Sequence, residues 1–363
     1  MKIRTITCHN AVNYGARLQA CALLHYLSNL GHDVQVIDYR PSYMSFREKV
    51  WYWPGSSVKA WIKLFLRFRQ RLNRLKQYAA FEKFSEKYLS RTTRIYHNIA
   101  GLKEKPPHAD LYIAGSDQIW NTLFCNGTDA AYYLDFGPLE TKRISYAASF
   151  ALSSLAIGCE AFVRENLSAF DAISVRETSG LQILNSLDFS GRIVADPVFL
   201  LSAEEWDLLL SCRETSESYV LVYDVMGCNQ VKRLARRIAK QLGCNLYAIG
   251  YRNLGYADRN FSRSSPDTFV ELIRNARFVV SNSFHGTAFA MIYHKDFFVV
   301  DRTDGLNERM HDLLSRCGLS SRRVTADLPD NQLLSAIPYR TVDMVLQREI
   351  VASKAFLAEE LTQ

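Results

Sequence analysis

A histidine at a strand-to-helix turn is the sharpest chemical feature of this sequence. His285 stands in the segment Ser281–Thr287 (SNSFHGT), directly after the apolar run Phe278–Val280. Free N–H groups at a helix N-terminus attract anions, and an imidazole there can hydrogen-bond a phosphate or donate a proton. The segment therefore predicts an anion site around His285 that also includes Ser283, Gly286 and Thr287. The alternative is a structural histidine.

Charged side chains end three other apolar segments. Arg176 follows Ser174–Val175, and its planar guanidinium suits bidentate binding of a carboxylate or phosphate. Asp117 follows a strand that ends at Gly115, where a carboxylate could take a proton from a hydroxyl group. Asp196 places a second carboxylate at a strand end. The alternatives are a salt bridge for Arg176, a helix or turn cap for Asp117 and a simple Asp-Pro turn at Asp196.

Two further turns complete the predicted cleft. Asn13, Tyr14 and Gly15 lie between the first strand and the first helix, where a glycine lets a ligand approach the backbone. Ser116 and Gln118 flank Asp117. The alternative for the first turn is a helix cap with a permissive glycine.

The elements that must position these residues alternate between strand and helix in both parts of the chain. Near-continuous apolar strands with helices between them predict parallel sheets with right-handed crossovers. We therefore predict an α/β protein with two doubly wound Rossmann-like domains, similar to the GT-B arrangement. Ligands in such sheets bind beyond the carboxyl ends of the strands.

The predicted domains are residues 1–210, residues 211–340 and a C-terminal helix, 341–363, that packs back across the hinge. The first domain contains a basic, aromatic excursion at residues 42–104 that the composition predicts to be helical. A Ser- and Glu-rich loop at 211–218 separates the two domains.

Bulk composition excludes several classes of protein. The 363 residues contain no apolar run long enough to cross a membrane, and the N-terminus reads as a strand. Eight single cysteines without a Cys-x-x-Cys pair suit a reducing compartment, so we predict a cytoplasmic protein. The histidines and cysteines are dispersed, and no metal site is predicted.

The net charge of +7 has a local origin. Seven basic residues and no acid occur between Lys59 and Phe81, so the rest of the chain is nearly neutral. Cations around the apolar positions Trp61, Phe65 and Phe68 are typical of a helix lying on an anionic membrane surface. The segment 51–76 is therefore predicted to touch the inner membrane face, and the alternative is packing on the first domain. Nucleic-acid binding is not predicted.

Taken together, these segments resemble the polysaccharide pyruvyl transferase family over nearly the whole chain. The resemblance rests on Asn13-Tyr14-Gly15-Ala16 with Leu18-Gln19, Gly115-Ser116-Asp117-Gln118-Ile119-Trp120, Ser145-Tyr146-Ala147-Ala148-Ser149, Ser174-Val175-Arg176-Glu177, Asp196-Pro197-Val198-Phe199, Ser283-Phe284-His285-Gly286-Thr287 and Asn307-x-Arg309.

The resemblance implies transfer of pyruvate from phosphoenolpyruvate to a sugar of a surface polysaccharide or its polyprenyl-linked precursor. It implies no metal or organic cofactor. Arg176 and His285 match the donor-binding positions, Asp196 and Asp117 match acidic site positions, and the turns around Gly15 and Asp117 would face the acceptor. Many members carry an arginine where this chain has Ser283. Arg252 is the predicted substitute, with Arg302 and Arg309 as weaker alternatives.

Two other functions fit the sequence. A GT-B glycosyltransferase using a nucleotide sugar could hold a diphosphate at the turn of His285. A non-catalytic assembly protein of a polysaccharide pathway could use the basic segment for docking, but that role would not need charged side chains at several strand ends.

Overall fold

The computed structural model describes residues 1–44 and 68–362. Its first sheet contains the parallel strands β1 (Lys2–Ile6), β2 (Asp33–Tyr39), β3 (Arg91–Tyr96), β4 (Leu111–Ala114) and β5 (Lys142–Ser145) in the order β3-β2-β1-β4-β5. The short pair β6 (Ser174–Val175) and β7 (Arg192–Ile193) joins β5 through isolated parallel bridges. This strand order is that of a doubly wound sheet.

The second sheet repeats the pattern. Its strands are β8 (Tyr219–Tyr223), β9 (Asn245–Ile249), β10 (Arg259–Phe261), β11 (Phe278–Ser281), β12 (Asp296–Val300) and β13 (Arg323–Val324) in the order β10-β9-β8-β11-β12-β13. All five residues of β8 are buried, as expected for a central parallel strand covered on both faces.

Eleven α-helices connect and cover the strands in the described part of the chain. They are α1 (Tyr14–Asn29), α2 (Phe68–Tyr88), α3 (Ile99–Glu104), α4 (Glu160–Leu167), α5 (Thr178–Ser186), α6 (Ala203–Leu210), α7 (Asn229–Leu242), α8 (Pro266–Asn275), α9 (Phe284–Ile292), α10 (Glu308–Arg316) and α11 (Tyr339–Thr362).

Helix α7 shows how the sequence builds this arrangement. Val231, Leu234, Ala235 and Ile238 recur at helical spacing and are all buried. Gly243 ends the helix in the left-handed conformation, with φ of 63°. The same alternation through both sheets confirms the predicted fold, two Rossmann-like domains in a GT-B-like arrangement.

The C-terminal helix contacts the first sheet and the segment that leads into the second, as predicted for a helix that packs back across the hinge. Ser353 Oγ of α11 accepts a hydrogen bond from the N–H of Ala195 over 2.8 Å, and Lys142 Nζ lies 2.9 Å from Glu360. At its other end, the Tyr339 hydroxyl donates to the carbonyl of Lys295, the residue directly before β12. The helix therefore links the start of β12 to β5 and to the segment that follows β7.

Residues 42–104 are not a single helical excursion. Strand β3 and helix α3 lie within this range, and β3 forms an edge of the first sheet. Its sequence, RTTRIY, is polar because half of its side chains face away from the core, so the apolar strand signal is weak. Residues 45–67, which include most of the predicted membrane-facing segment 51–76, lie outside the described residues. Contact with a membrane stays a prediction.

Helix α6 packs against the second sheet's helices even though it precedes β8. Asp207 accepts hydrogen bonds from Arg274 Nε over 2.7 Å and from the Tyr293 hydroxyl over 2.9 Å. Trp206 packs edge to face on Phe289 with 5.1 Å between the ring centroids. The division of the chain at residue 210 remains a prediction. Within the described ranges, no helix is long and apolar enough to cross a bilayer.

Candidate active site

The switch points of the two sheets face each other. In each sheet, the chain connections run one way on one side of a central strand pair and the opposite way on the other side. This pair is β1 and β4 in the first sheet and β8 and β11 in the second. Gly15, in the first turn of α1 after β1, packs directly on the imidazole of His285, in the first turn of α9 after β11. The carboxyl edges of the two sheets therefore meet at these two residues, where ligands of doubly wound folds bind.

Only a glycine fits at position 15 while His285 keeps its place. A methyl group on Gly15 would lie 1.9 Å from His285 Nδ1 and 2.3 Å from its Cγ. We expect Gly15→Ala to displace the imidazole and to lower kcat/KM by about 10²-fold, a typical loss when a proton-transfer group is misplaced.

A double-mutant cycle in the transferase reaction proposed below tests this expectation. Because the ring is absent in His285→Ala, Gly15→Ala should change kcat/KM by less than about twofold in that background, since the two changes remove the same interaction. Additive losses in the double variant would contradict the steric explanation.

Asp196 links the two halves through a buried ion-pair chain. Its Oδ2 accepts a hydrogen bond from Arg176 Nη1 and lies 3.5 Å from His285 Nε2. Its Oδ1 accepts the N–H of Val198 over 3.1 Å. Asp196 and Arg176 are almost completely buried. Both carboxylate oxygens of Asp196 therefore have partners, and the side chain orients Arg176 and His285. These contacts suit a residue that positions the other two, and the catalytic role of Asp196 stays a prediction.

A second arginine enters the same cluster from α10. Arg309 Nη1 lies 3.7 Å from Asp117 Oδ1, and Arg176 Nη2 lies 3.8 Å from the same oxygen. Both guanidinium groups lie over the ring of Phe284, at 4.8 Å for Arg176 and 5.7 Å for Arg309. Arg176, Arg309, Asp117, Asp196 and His285 are called the cleft cluster below.

Burial and mutual charge shift the pKa values of the cluster. Burial and the neighbouring charge of Arg176 lower the pKa of Arg309 to about 10. Burial opposes ionisation of Asp196, but the charges of Arg176 and His285 outweigh it and hold its pKa well below the usual range. Burial also opposes the charge on Arg176, yet Asp196 and Asp117 raise its pKa. The guanidinium groups of Arg176 and Arg309 therefore both stay positively charged, although they lie side by side.

Several buried nitrogen atoms of the cluster have no hydrogen-bond partner among the described residues. They are Arg176 Nε and Nη2, Arg309 Nε and His285 Nε2. A buried N–H group without a partner costs free energy, so native structures satisfy almost all of them. Unpartnered nitrogens of two arginines and a histidine therefore belong to one cluster, and a bound anion could satisfy them.

Asp117 is the most accessible carboxylate of the cleft cluster. Its side chain is 15% exposed, whereas that of Asp196 is fully buried. Its backbone has φ of 76°, a left-handed conformation that non-glycine residues adopt rarely and mostly at functional or turn positions. The structure thus presents Asp117 where the sequence predicted a base.

Two of the predicted cleft residues serve the scaffold. Tyr14 is fully buried, stacks on Phe269 at 4.8 Å and packs on Tyr223 at 5.7 Å, so it joins the two halves and lines no open surface. Ser116 is fully buried, and its polar groups are all engaged, its N–H by Gln19 and its hydroxyl by the carbonyl of Ala147. The prediction that Tyr14 and Ser116 contact an acceptor is therefore corrected.

The remaining acceptor-side residues lie at turns. Asn13 is exposed and caps α1, with its Oδ1 accepting from the N–H of Ala16 over 3.2 Å. Gln118 is half-buried, and its Oε1 accepts from Asn121 Nδ2 over 3.3 Å. Asn13 therefore follows the alternative stated for this turn, the helix cap, while Gln118 stays a predicted cleft residue.

At the turn of α9, two of the predicted donor contacts are used by the turn itself. The Thr287 hydroxyl donates to the carbonyl of Ser283 over 3.0 Å. A methyl group on Gly286 would lie 2.5 Å from Ser281 Oγ, so the glycine allows close packing of the helix on β11. Ser283 is half-buried, and no side-chain cap bond is formed at this helix start.

The structure favours Arg309 over Arg252 as the substitute for an arginine at position 283, and the role of Arg252 stays a prediction. Arg252 is exposed, and its Nη1 lies beside the turn of Gly227. Arg302 pairs with Asp304. Arg309, in the first turn of α10, is buried in the cleft cluster because that turn faces the carboxyl edge of the sheet. The motif Asn307-x-Arg309 was the signal that could have ranked it first.

One buried carboxyl group of the site was missed by the sequence reasoning. Glu177 follows Arg176 and is almost completely buried. Its Oε1 accepts hydrogen bonds from Ser149 Oγ over 2.9 Å and from the N–H of Ala151 over 3.0 Å. Its Oε2 has no partner among the described residues. In residues 1–44 and 68–362, no group of three or more His, Cys, Asp or Glu side chains could hold a metal ion.

Solved structures similar to this chain include glycosyltransferases. A glycosyltransferase involved in avilamycin A biosynthesis, AviGT4, aligns with a TM-score of 0.50 at 11% identity over 99% of this chain and 97% of its own. The glycosyltransferase SnogD from Streptomyces nogalater aligns with a TM-score of 0.44 at 12% identity over 99% of each chain. At such identity the likeness to AviGT4 concerns the fold alone, and it agrees with the GT-B arrangement.

Comparison with protein families gives a more specific result. No curated protein matches the chain. The family described as Polysaccharide pyruvyl transferase matches residues 13–304, a range that contains Gly15, Asp117, Arg176, Asp196 and His285. The match covers most of the chain and all but Arg309 of the cleft cluster, and on this basis the protein belongs to the polysaccharide pyruvyl transferase family.

Proposed function

We propose that the protein transfers pyruvate from phosphoenolpyruvate to a sugar of a surface polysaccharide or of its lipid-linked precursor and forms a ketal. The family supports a pyruvyl transferase acting on polysaccharide. The observation that supports this donor is the presence of buried, unpartnered Arg176 and Arg309 nitrogens in one cluster with His285. Phosphoenolpyruvate is an anion at both ends, and paired guanidinium groups suit carboxylate and phosphate alike.

The roles follow from the positions of the side chains. Arg176 and Arg309 would hold the carboxylate and the phosphate of the donor. His285 would hydrogen-bond or protonate the departing phosphate. Asp196 keeps the side chains of His285 and Arg176 oriented. Asp117, the accessible carboxylate, would take the proton of the attacking sugar hydroxyl.

A feature of the second sheet supports this donor over a nucleotide diphosphate. At the turn after β8, the Asp224 carboxylate already accepts the N–H groups of Met226, Gly227 and Cys228 over 2.7–3.0 Å. Helix N-termini of this kind are common phosphate sites, and here the protein's own carboxylate fills the place. Among the described residues at this switch point, the turn of His285 then remains for a donor anion.

The test is incubation with phosphoenolpyruvate and a panel of lipid-linked and aryl galactosides, mannosides and glucosides. We expect release of inorganic phosphate together with a product whose mass corresponds to the acceptor plus a pyruvate ketal. Parallel reactions contain nucleotide sugars as the donor. Turnover of a nucleotide sugar, with no reaction of phosphoenolpyruvate, would contradict the proposal.

A further inference from the structure

A groove with polar and basic side chains lies between helix α2 and the end of strand β10, outside the cleft cluster. One open cavity of about 370 Å³ is lined by Leu72, Asn73 and Lys76 of α2 and by Arg263. A second cavity, of about 360 Å³, also has Arg263 in its wall, together with Asn253, Asn260, Phe261, Ser262 and Ser264. The two cavities adjoin at Arg263 and are called the α2–β10 groove below. Each has the volume of a small-molecule site.

The groove lies where doubly wound folds bind ligands. Asn253 follows the end of β9, and residues 262–264 follow the end of β10. These residues therefore stand beyond the carboxyl ends of both strands, the edge at which such sheets bind ligands. The Tyr14 hydroxyl donates to the carbonyl of Ser264 over 3.3 Å. Since Tyr14 precedes Gly15, one tyrosine side chain links the groove to the contact between Gly15 and the cleft cluster.

The groove carries positive charge that no protein carboxylate balances. Lys76 and Arg263 are exposed, and neither forms an ion pair or a hydrogen bond with another residue in 1–44 or 68–362. Among the described residues that line the two cavities, none is acidic. By contrast, the nearby Arg259 pairs with Glu217 at 3.4 Å. Two cations on one cavity both attract an anion placed between them, so the groove favours a negatively charged ligand.

The donors of the groove suit a phosphate or diphosphate group. A guanidinium group binds two oxygen atoms of such a group at once, and a lysine adds a point charge. Asn73, Asn253 and Ser262 line the same groove, and their side chains make no hydrogen bond with another described residue. A diphosphate spreads its oxygen atoms over two groups, so it uses donors arranged along a groove better than a single carboxylate does.

We propose that the α2–β10 groove binds the phosphate or diphosphate group that joins a lipid-linked acceptor to its carrier. The inference rests on the proposed function, because it identifies one part of the acceptor of that reaction. The cleft cluster is assigned to the anionic donor, and the groove then holds a second anion without competing for Arg176 and Arg309. Lys76 is also the last residue of the segment 51–76 that the sequence predicts to touch a membrane, the surface at which a carrier lipid presents its phosphates.

The first test offers one sugar in two forms, as an aryl glycoside and linked through a diphosphate to a short polyprenyl chain. We expect Arg263→Gln to raise KM for the diphosphate-linked acceptor by about tenfold, because a hydrogen bond to a charged group is lost. Lys76→Gln should act in the same direction, and the double variant should raise this KM by about 10²-fold. KM for the aryl glycoside and kcat with both acceptors should change by less than about twofold, as for a group that only binds.

Arg348→Gln is the matched control for these variants. It removes an exposed arginine of α11 that, like Arg263, forms no ion pair with another described residue. All KM values should stay within about twofold of the wild type in this control, since an isolated surface charge contributes little. An equal rise of KM for both forms of the acceptor in Arg263→Gln would overturn the proposal, because the groove would then not recognise the diphosphate.

Binding of inorganic pyrophosphate tests the groove independently of turnover. It is measured by calorimetry in excess phosphoenolpyruvate, which keeps the cleft cluster occupied. We expect the wild type to bind pyrophosphate and the folded double variant Lys76→Gln with Arg263→Gln to lose this binding. If the wild type forms a ketal but binds no pyrophosphate, the groove proposal alone is overturned. If it forms no ketal, the proposed function falls, and binding that is lost in the double variant still supports the anion site.

The two tests together separate a carrier phosphate from a free phosphate compound. Loss of pyrophosphate binding together with a raised KM for the diphosphate-linked acceptor supports the carrier. Loss of pyrophosphate binding with an unchanged KM for that acceptor would assign the groove to a free phosphate compound and would overturn its role in acceptor binding.

Discussion

Replacing His285 with alanine is expected to lower kcat/KM for pyruvyl transfer by about 10²- to 10⁴-fold and to leave the fold intact. The imidazole lies between Gly15 and Asp196, where the two switch points meet, and its Nε2 is buried without a hydrogen-bond partner among the described residues. Its loss removes a group that can bind or protonate the departing phosphate. The measurement is phosphate release from phosphoenolpyruvate in the presence of acceptor.

His294→Ala is the matched control for this experiment. His294 lies just after the same helix α9 but is exposed and pairs with Asp343 at 3.0 Å, remote from the cleft cluster in its contacts. The control should stay within about twofold of the wild type, because isolated surface pairs contribute little. Near wild-type kinetics in His285→Ala would return His285 to a structural role.

Asp196→Asn should have the second large effect, on stability as well as on activity. The substitution keeps the shape of the side chain but leaves the buried Arg176 without its main counter-charge. Removing one partner of a buried ion pair typically costs about 3–5 kcal/mol. We expect a loss of unfolding free energy near the lower end of this range, since Arg176 keeps Asp117 at 3.8 Å. We also expect kcat/KM to fall by about 10²-fold, because His285 and Arg176 lose the carboxylate that positions both of them.

Denaturant unfolding and donor kinetics together check the Asp196 prediction. Asp207→Asn is the matched control, because Asp207 also pairs with an arginine, Arg274, but both side chains are partly exposed. That variant should lose no more than about 1 kcal/mol of unfolding free energy. If Asp196→Asn lost no more than this control, the ion-pair chain would not hold the site together.

The sequence predicted the fold well because the decisive signals are local. Apolar strands of four to seven residues alternate with helical periodicity, as in β8 and α7, and this alternation selects parallel doubly wound sheets. The edge strand β3 was missed, because an edge position tolerates polar side chains and its sequence carries two arginines and two threonines. The strand-end rule then placed Asp117, Arg176 and Asp196 at one edge, where the structure has them.

The parts of the site that depend on how the two sheets meet could not be read from the sequence. Whether Tyr14 faces a ligand or the aromatic rings of Tyr223 and Phe269 depends on contacts more than 200 positions away. Arg309 ranked low because its motif gives no distance to Arg176. Glu177 follows Arg176 directly in the sequence, and only the structure shows that its side chain is buried and accepts hydrogen bonds from Ser149 and Ala151.

The contact between Gly15 and His285 also constrains how related chains can diverge. A side chain of any size at position 15 would occupy the volume that the imidazole fills, so the two positions share one small space. If alanine replaced Gly15 first, the imidazole of His285 would be displaced. If His285 were replaced first, position 15 could then accept a larger side chain. Evolutionary change at the pair is therefore ordered: the histidine goes first, and the glycine becomes replaceable only afterwards.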